Sequence, residues 1–264
     1  MYNFAYHRPS SIAEAAAALA AAPDGKLVAG GMTLVPTMKQ RLAEPSDLID
    51  LGAIGDLAGI SSTGNGLKIG AMTTHAKVAS SAEVKATIPA LAALAEGIGD
   101  PQVRNRGTIG GSVANNDPAS DYPAAVLALN ATIQTNTRSI AADDFFLGMF
   151  ETALGEGEII TGFTFPKPQK AAYVKFSNPA SRYALVGVFV AQTADGVRVA
   201  VTGAAPCVYR ASEIEAALAG SLSASSLDGV KIDAGGLNSD IHASAEYRAH
   251  LIGVLAKRAV AALG

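Results

Sequence analysis

Two stretches concentrate the residues whose types and spacing could do chemistry. "KLVAGGMTLVPTMKQRL" (residues 26–42) sets Gly30 and Gly31 between a short apolar run and an amphipathic segment carrying Lys39 and Arg41 near its end. No acid, histidine or cysteine stands beside that pair. "RGTIGGSVANNDPASDYPAA" (residues 106–125) repeats the device with Gly110 and Gly111. It adds the hydroxyls of Thr108 and Ser112, the polar side chains of Asn115, Asn116 and Asp117, and Asp121 at the start of a helix. Backbone N–H groups at a strand-to-helix junction carry partial positive charge and lack an internal partner, so they bind phosphate without a cation. Glycine lets the backbone approach such a ligand and adopt positive φ. Thr33 could add a hydroxyl. Each loop taken alone is also readable as plain turn geometry, the first more readily than the second. The pair, in a chain with no metal, thiol or nucleophilic-triad signal, points to a large phosphate-bearing ligand held mainly by backbone. The pattern is neither GxGxxG nor a P-loop: "GNGLKIG" has the wrong spacing and reads as a hairpin.

Composition narrows the classes. The 264 residues, 49% hydrophobic and 16% charged with a net charge of −3, suit a soluble globular protein of two domains and argue against nucleic-acid binding. No run approaches the roughly 18 apolar residues of a membrane span. The N-terminus lacks signal-peptide features, so a cytoplasmic location is expected. The single Cys207 excludes an internal disulfide and a cysteine-ligated cluster within the chain, and the four histidines show no ligand spacing.

These loops require elements to position them. "SSIAEAAAALAAAPDG" carries a capping box, Ser11 with Glu14, and predicts a helix of about three turns. "KLVAGG" predicts a strand, "TLVPTMKQRL" a helix and "DLIDL" a strand, giving a lobe over residues 1–52. A second lobe, 53–168, is expected to hold a hairpin turning at Asn65–Gly66. Helices follow at "THAKVASS" and "TIPALAALAEGIG", then a strand at "TIGGSVAN", a helix at "SDYPAAVLALN" and strands at "ATIQT" and "EIITGFTF". After the break "KPQK" come strands "AAYVKFS", "ALVGVFVAQT" and "VRVAVTGAA", then helices at "RASEIEAALAG" and "SAEYRAHLIGVLAKRAVAAL". This is a separate α+β unit, 169–264, with an antiparallel sheet and helices on one face.

The motif order resembles a known family. "AGGMTLVPTMKQRL", "GAMTTHAKV", "GDPQVRNRGTIGGSVANNDPASDYPAA", "DDFFLGMFETAL", "EIITGFTFP" and "ASRYALVGVFVA" are similar to the FAD-binding medium subunits of molybdenum hydroxylases, the carbon monoxide and xanthine dehydrogenase group. The resemblance spans the chain, and the 100–125 motif is its most specific part. It implies an α+β fold: a two-lobed FAD-binding domain of the vanillyl-alcohol-oxidase (PCMH) type, followed by a small flavoprotein C-terminal domain.

The resemblance also implies roles. The backbone of Ala29, Gly30, Gly31, Met32, Thr33, Leu34 and Val35, up to Pro36, would cradle the FAD pyrophosphate. Thr108, Gly110, Gly111 and Ser112 would hold the other side, with Asn115 nearby. Asp121 would meet the ribitol or adenosine part, Ile160 would cover the adenine end, and Tyr183 would lie near the isoalloxazine ring unless it serves only as strand-start packing. Molybdopterin and [2Fe–2S] clusters would belong to large and small partner subunits in a dimer of heterotrimers. Met32 stands where carbon monoxide dehydrogenases often have His, and Asn115–Asn116 where a His-Ala pair is common, which bears on substrate rather than on pyrophosphate binding. Two rivals remain at this stage. A free-standing flavin oxidoreductase would need its own base, with only Tyr183 and His75 available, and His75 reads as a helix-start packing or capping residue. The other is a non-catalytic nucleotide-binding module.

Overall fold

The computed structural model describes residues 1–263; Gly264, the last residue of the expected C-terminal unit, lies outside the described residues. The N-terminal lobe comprises β1 (Ala5–His7), α1 (Ile12–Ala21), β2 (Gly25–Val28), α2 (Leu34–Lys39) and β3 (Asp47–Asp50). Its sheet runs β1-β3-β2, all parallel. Strand β1 is an addition to the elements read from sequence: three residues, recruited by pairing with β3. Ser11 caps α1, its Oγ accepting from the Glu14 N–H at 3.2 Å. The Glu14 carboxylate reaches back one residue further than the capping-box rule predicts, to the N–H and hydroxyl of Ser10.

The second lobe follows with β4 (Ile60–Thr63), β5 (Gly66–Gly70), α3 (His75–Ser80), α4 (Ala82–Thr87), α5 (Pro89–Glu96), α6 (Pro101–Arg106), α7 (Ile109–Asn115) and α8 (Tyr122–Ala128). Then come β6 (Thr132–Thr135), β7 (Ser139–Ala141), β8 (Phe146–Gly148), β9 (Glu151–Thr152) and β10 (Ile160–Pro166). The five-stranded sheet has the order β4-β5-β10-β6-β7, with "EIITGFTF" as its central strand. The hairpin turn is Gly64–Asn65 rather than Asn65–Gly66. Gly66 is already paired with Thr63, and a Cβ there would lie 2.0 Å from the Phe165 carbonyl oxygen. "TIGGSVAN" is helix α7, not a strand: Thr108 caps it, its Oγ accepting from the Gly111 N–H, and Asn116 ends it in the left-handed region.

The third unit holds β11 (Lys170–Ser177), β12 (Ala184–Thr193), β13 (Gly196–Thr202), β14 (Tyr209–Arg210), α9 (Ser212–Leu218) and α10 (Ala245–Ala261), with an antiparallel sheet β11-β12-β13-β14. Its own helices cover one face through Val186, Val188 and Val190. The alternate residues Phe189, Ala191 and Ala200 enter the core of the second lobe, where α8 covers the other face. That double burial explains the unbroken apolar run of β12.

One ionic cluster pins the end of the central sheet. Glu158, 5% exposed at its side chain, accepts from Arg138 Nε at 2.9 Å, from the hydroxyls of Thr135 and Thr137, and from the Gly155 N–H. Led by the Arg138 bond, these donors hold its carboxyl far below the usual carboxylate range despite burial. Because the folded-state value is depressed, this stabilisation is complete above the unfolded value of 4.5 and is lost as pH falls through the folded one. Glu158→Gln is therefore expected to lower stability by about 1–3 kcal/mol at neutral pH, with the deficit narrowing in acid. Paired thermal melts at pH 7 and pH 3 read this, and a deficit as large at pH 3 would contradict the assignment.

Candidate functional site: a cleft between the glycine loops

A cleft of about 690 Å³ opens where the three units meet, within the size range of cofactor sites. The first wall is the β2–α2 connection. Gly31 sits at φ +73°, turning the chain where a side chain would be strained and would strike Val35. Among the described residues, the N–H groups of Gly30, Gly31, Met32 and Thr33 donate no hydrogen bond within the chain. They are four donors at the edge of a cleft. Thr33 makes no side-chain cap to α2, so its hydroxyl is also uncommitted there.

The second wall is built differently. Residues 71–75 pair with 107–110: the His75 N–H donates to the Gly107 carbonyl (2.9 Å), Ile109 to Thr73 (3.1 Å) and Gly110 to Ala71 (2.8 Å). These bonds occupy the amides at the start of α7, so this loop offers the cleft close backbone approach and hydroxyls rather than free N–H groups. Gly110 lies behind the wall, where a Cβ would lie 2.7 Å from the Ala71 carbonyl oxygen. Gly111 faces the cleft; a Cβ there would meet only Thr108 Oγ1 at 3.0 Å and Ala29 at 3.5 Å.

The third wall comes from the β11–β12 connection, where Ala180, Ser181, Arg182 and Tyr183 line the cleft. Asn178 Oδ1 accepts the N–H groups of Ala180 and Ser181, and Arg182 adopts φ +63°. Tyr183 is half exposed. Burial, and then the negative charges of Asp117 and Asp121, push its phenol pKa up. Asp121 is buried at the cleft floor. Its carboxylate accepts from the Tyr173 hydroxyl and from Lys175 Nζ at 3.0 Å, while Lys175 also donates to the Gly97 carbonyl. Burial pushes the Asp121 carboxyl up and the Lys175 charge opposes it. The Asp121 side chain does not cap α8; it joins the second lobe to β11.

Thirteen of the residues singled out from sequence line this cleft: Ala29, Gly30, Gly31, Met32, Thr33, Leu34, Thr108, Gly111, Ser112, Asn115, Asp117, Asp121 and Tyr183. Val35, Pro36, Gly110, Asn116 and Ile160 do not. Val35 packs against Gly31, Gly110 backs onto Ala71, and Ile160 points into the core of the central sheet. Lys26, Asp100, Val103 and Arg182 line the cleft unannounced, since nothing in their local sequence marks them. His75 also lines it, and it is the packing residue its helix-start position suggests. It is 5% exposed, with its ring 5.2 Å from that of Tyr122.

His75 is not poised for proton transfer. Burial, with a smaller contribution from the Arg104 charge, lowers the His75 pKa to about 4, so the ring is neutral at physiological pH. The unfolded chain binds this proton near 6.5 and the folded chain only near 4, so His75 costs stability as pH falls across that window. His75→Asn is expected to flatten the decline of Tm between pH 6.5 and 4. An unchanged slope would show that the ring is not held neutral.

Comparison with known proteins gives the family. The family described as "FAD binding domain in molybdopterin dehydrogenase" matches residues 2–168, and "CO dehydrogenase flavoprotein C-terminal domain" matches 171–263. The chain is 39% identical to the nicotine 6-hydroxylase medium subunit of Paenarthrobacter nicotinovorans, over 81% of this chain and 79% of that one. It is 40% identical to the carbon monoxide dehydrogenase medium chain of Hydrogenophaga pseudoflava, over 79% and 77%. A crystal structure of Cu,Mo-CO dehydrogenase superposes with a TM-score of 0.91 at 35% identity, covering 100% of this chain and 98% of that one. The chain belongs to the FAD-binding medium subunits of the molybdenum hydroxylase family.

Proposed function

We propose that the cleft is the FAD site and that its grip is the backbone of residues 29–34. The observation that carries this reading is the row of four uncommitted N–H groups facing a cleft whose opposite wall, at Gly111, is left open by the absence of a side chain. A pyrophosphate meets dipoles there without needing a cation. Thr108 and Ser112 would contact the dinucleotide from the opposite wall, Asn115 would lie beside them, and Tyr183 would lie against the ring system. Asp121, oriented by Tyr173 and Lys175, would face the ribitol or adenosine part. FAD supplies the redox chemistry when bound, taking electrons from iron–sulfur clusters of a small partner subunit and passing them to an external acceptor. The chain's own residues hold and orient it, and the buried, neutral His75 keeps a second charge out of the floor.

The same reading assigns molybdopterin and substrate to a large partner subunit and [2Fe–2S] clusters to a small one, in a dimer of heterotrimers in the cytoplasm. No helix among the described residues is long and apolar enough to cross a membrane. Domain limits of 1–168, with lobes 1–52 and 53–168, and 169–264 accompany it.

Two neighbouring glycines separate binding from folding. Gly111→Val is expected to abolish FAD retention, read as flavin absorbance per chain, while leaving far-UV circular dichroism intact. Full FAD occupancy would refute the placement. Gly110→Ala is expected instead to cost about 1–3 kcal/mol of stability through overpacking against Ala71, visible in the melt of the FAD-free chain. Co-expression with adjacent reading frames is expected to give a complex containing molybdenum and iron. A chain that purifies alone with FAD and turns over substrate would refute the subunit assignment.

A further inference from the structure

We propose that Asn116 is a positioning residue for the cofactor site, coupling the β8–β9 hairpin to the cleft wall; this rests on the FAD reading above. Asn116 is 1% exposed and lies behind the wall rather than in the cleft. Its side-chain nitrogen has two hydrogens to donate. Asn116 Nδ2 donates to the carbonyls of Gly148 and Glu151, each at 2.8 Å, on either side of the hairpin tip Met149–Phe150. The Asn116 backbone carbonyl accepts the Phe150 N–H at 3.2 Å. The ladder alone fixes the tip weakly. Strands β8 and β9 share two residue pairs with a register shift between them, and a lone two-stranded hairpin is marginal in water. Phe150 sits at φ +55°, an unfavourable conformation for a bulky residue. It persists where surrounding bonds over-determine the backbone, and here those bonds come from Asn116.

The same residue shapes the cleft. Asn115 and Asp117 flank it in sequence, and both line the cleft. The left-handed backbone of Asn116, φ +42°, ends α7 and turns the chain into Asp117. Asp117 Oδ1 accepts the Ala119 N–H at 2.9 Å and the Asp117 carbonyl accepts that of Ser120, so 117–120 is one closed turn. Among the described residues, every hydrogen bond between this segment and the hairpin comes from Asn116. A shift of the hairpin therefore displaces the joint at Asn116. Asn115 and Asp117 move with it, and so does the charge that Asp117 sets on the Tyr183 phenol. Coupling between two sites is reciprocal, so FAD held against this wall must in turn steady the hairpin outside it. Alanine, common at this position in the family the sequence resembles, has no side-chain donor. The coupling is thus a property of this chain rather than of the fold.

The test uses the full chain, with FAD bound and with FAD removed. Hydrogen–deuterium exchange is read by mass spectrometry on peptides covering residues 145–153, none of which lines the cleft. In the wild type, FAD is expected to slow exchange there by about five-fold or more, the lower end of measured couplings. Asn116→Gly keeps the left-handed backbone without strain and removes the amide. In that variant FAD should leave hairpin exchange unchanged, and the Kd for FAD should rise by about the same factor. A merely structural role would lower the Tm of the FAD-free variant and leave the FAD-dependent protection in place. A wild-type chain that holds FAD with no slowing of hairpin exchange would overturn the coupling, and that comparison stands even where the variant fails to fold. A folded Asn116→Gly variant with unchanged FAD affinity would overturn it as well. A wild-type chain that takes up no FAD would instead bring down the FAD reading, and the coupling with it.

Discussion

The structure turns on one backbone-to-backbone approach. Gly30 lies so close to the carbonyl of Arg106 that a Cβ on it would be 2.0 Å from that oxygen and 2.9 Å from the Gly107 Cα. Two loops about 75 residues apart in sequence touch main chain to main chain, which only glycine permits. Everything else at the site follows from that seam. Gly31 must turn away at positive φ, which sets its own amide and the next two along the rim. Gly107, where a Cβ would lie 2.5 Å from His75 Nε2, must also lack a side chain, and His75 is buried beneath it. The seam joins the two lobes and shapes the cleft together, so the binding surface is a by-product of how the lobes dock.

The third unit completes the cleft by fastening to the same loop. Gly203 N–H and Thr202 Oγ1 both donate to the Pro118 carbonyl, and Thr202 also to that of Ser120. Tyr173 and Lys175 hold Asp121 from β11. Arg198, buried on β13, donates to the Leu127 carbonyl and pairs with Asp143. Buried ion pairs contribute little net stability once desolvation is counted. Their directional geometry instead fixes the register between two apolar surfaces that could otherwise slide. The residues 116–121 are thereby held from three sides: by β13, by β11 and by the hairpin that Asn116 grips.

The sequence carried the architecture better than the local detail, for physical reasons. Periodicity and turn residues located most elements, because amphipathic helices and bounded apolar runs are properties of one segment. "TIGGSVAN" misleads because threonine, isoleucine, valine and paired glycines all disfavour helix. Its helicity is imposed by the Thr108 cap, the fit of Gly110 against Ala71 and the left-handed stop at Asn116. Strand β1 is too short to signal itself. At the site, the glycines are visible as a type, but which of Gly110 and Gly111 faces the cleft depends on where residues 71–75 lie. Asn116 reads like one more ligand donor in "ANNDP". Its burial and its grip on the hairpin depend on a segment more than 30 residues away. Ile160 and Val35 are placed by resemblance alone, and a register shift between Ile160 and Gly162 sends the former into the core, out of phase with Phe163 and Phe165.

A cleft whose rim is mainly backbone distributes its constraints unevenly along the chain. Rim positions that present only a main-chain N–H tolerate side-chain change, so Met32 leaves the row of unpaired N–H groups intact. Positions where the absence of a side chain creates the space tolerate almost none. Gly30 and Gly110 are fixed by contacts within the protein, whereas Gly111 borders open cleft and is free of that packing demand. Two buried polar groups at its floor are already engaged within the protein: Asp121 by Tyr173 and Lys175, and His75 as a neutral ring packed on Tyr122. Subunits named for carbon monoxide dehydrogenase and for nicotine 6-hydroxylase are alike similar to this chain, at 40% and 39% identity, so similarity over the whole chain does not single out a substrate.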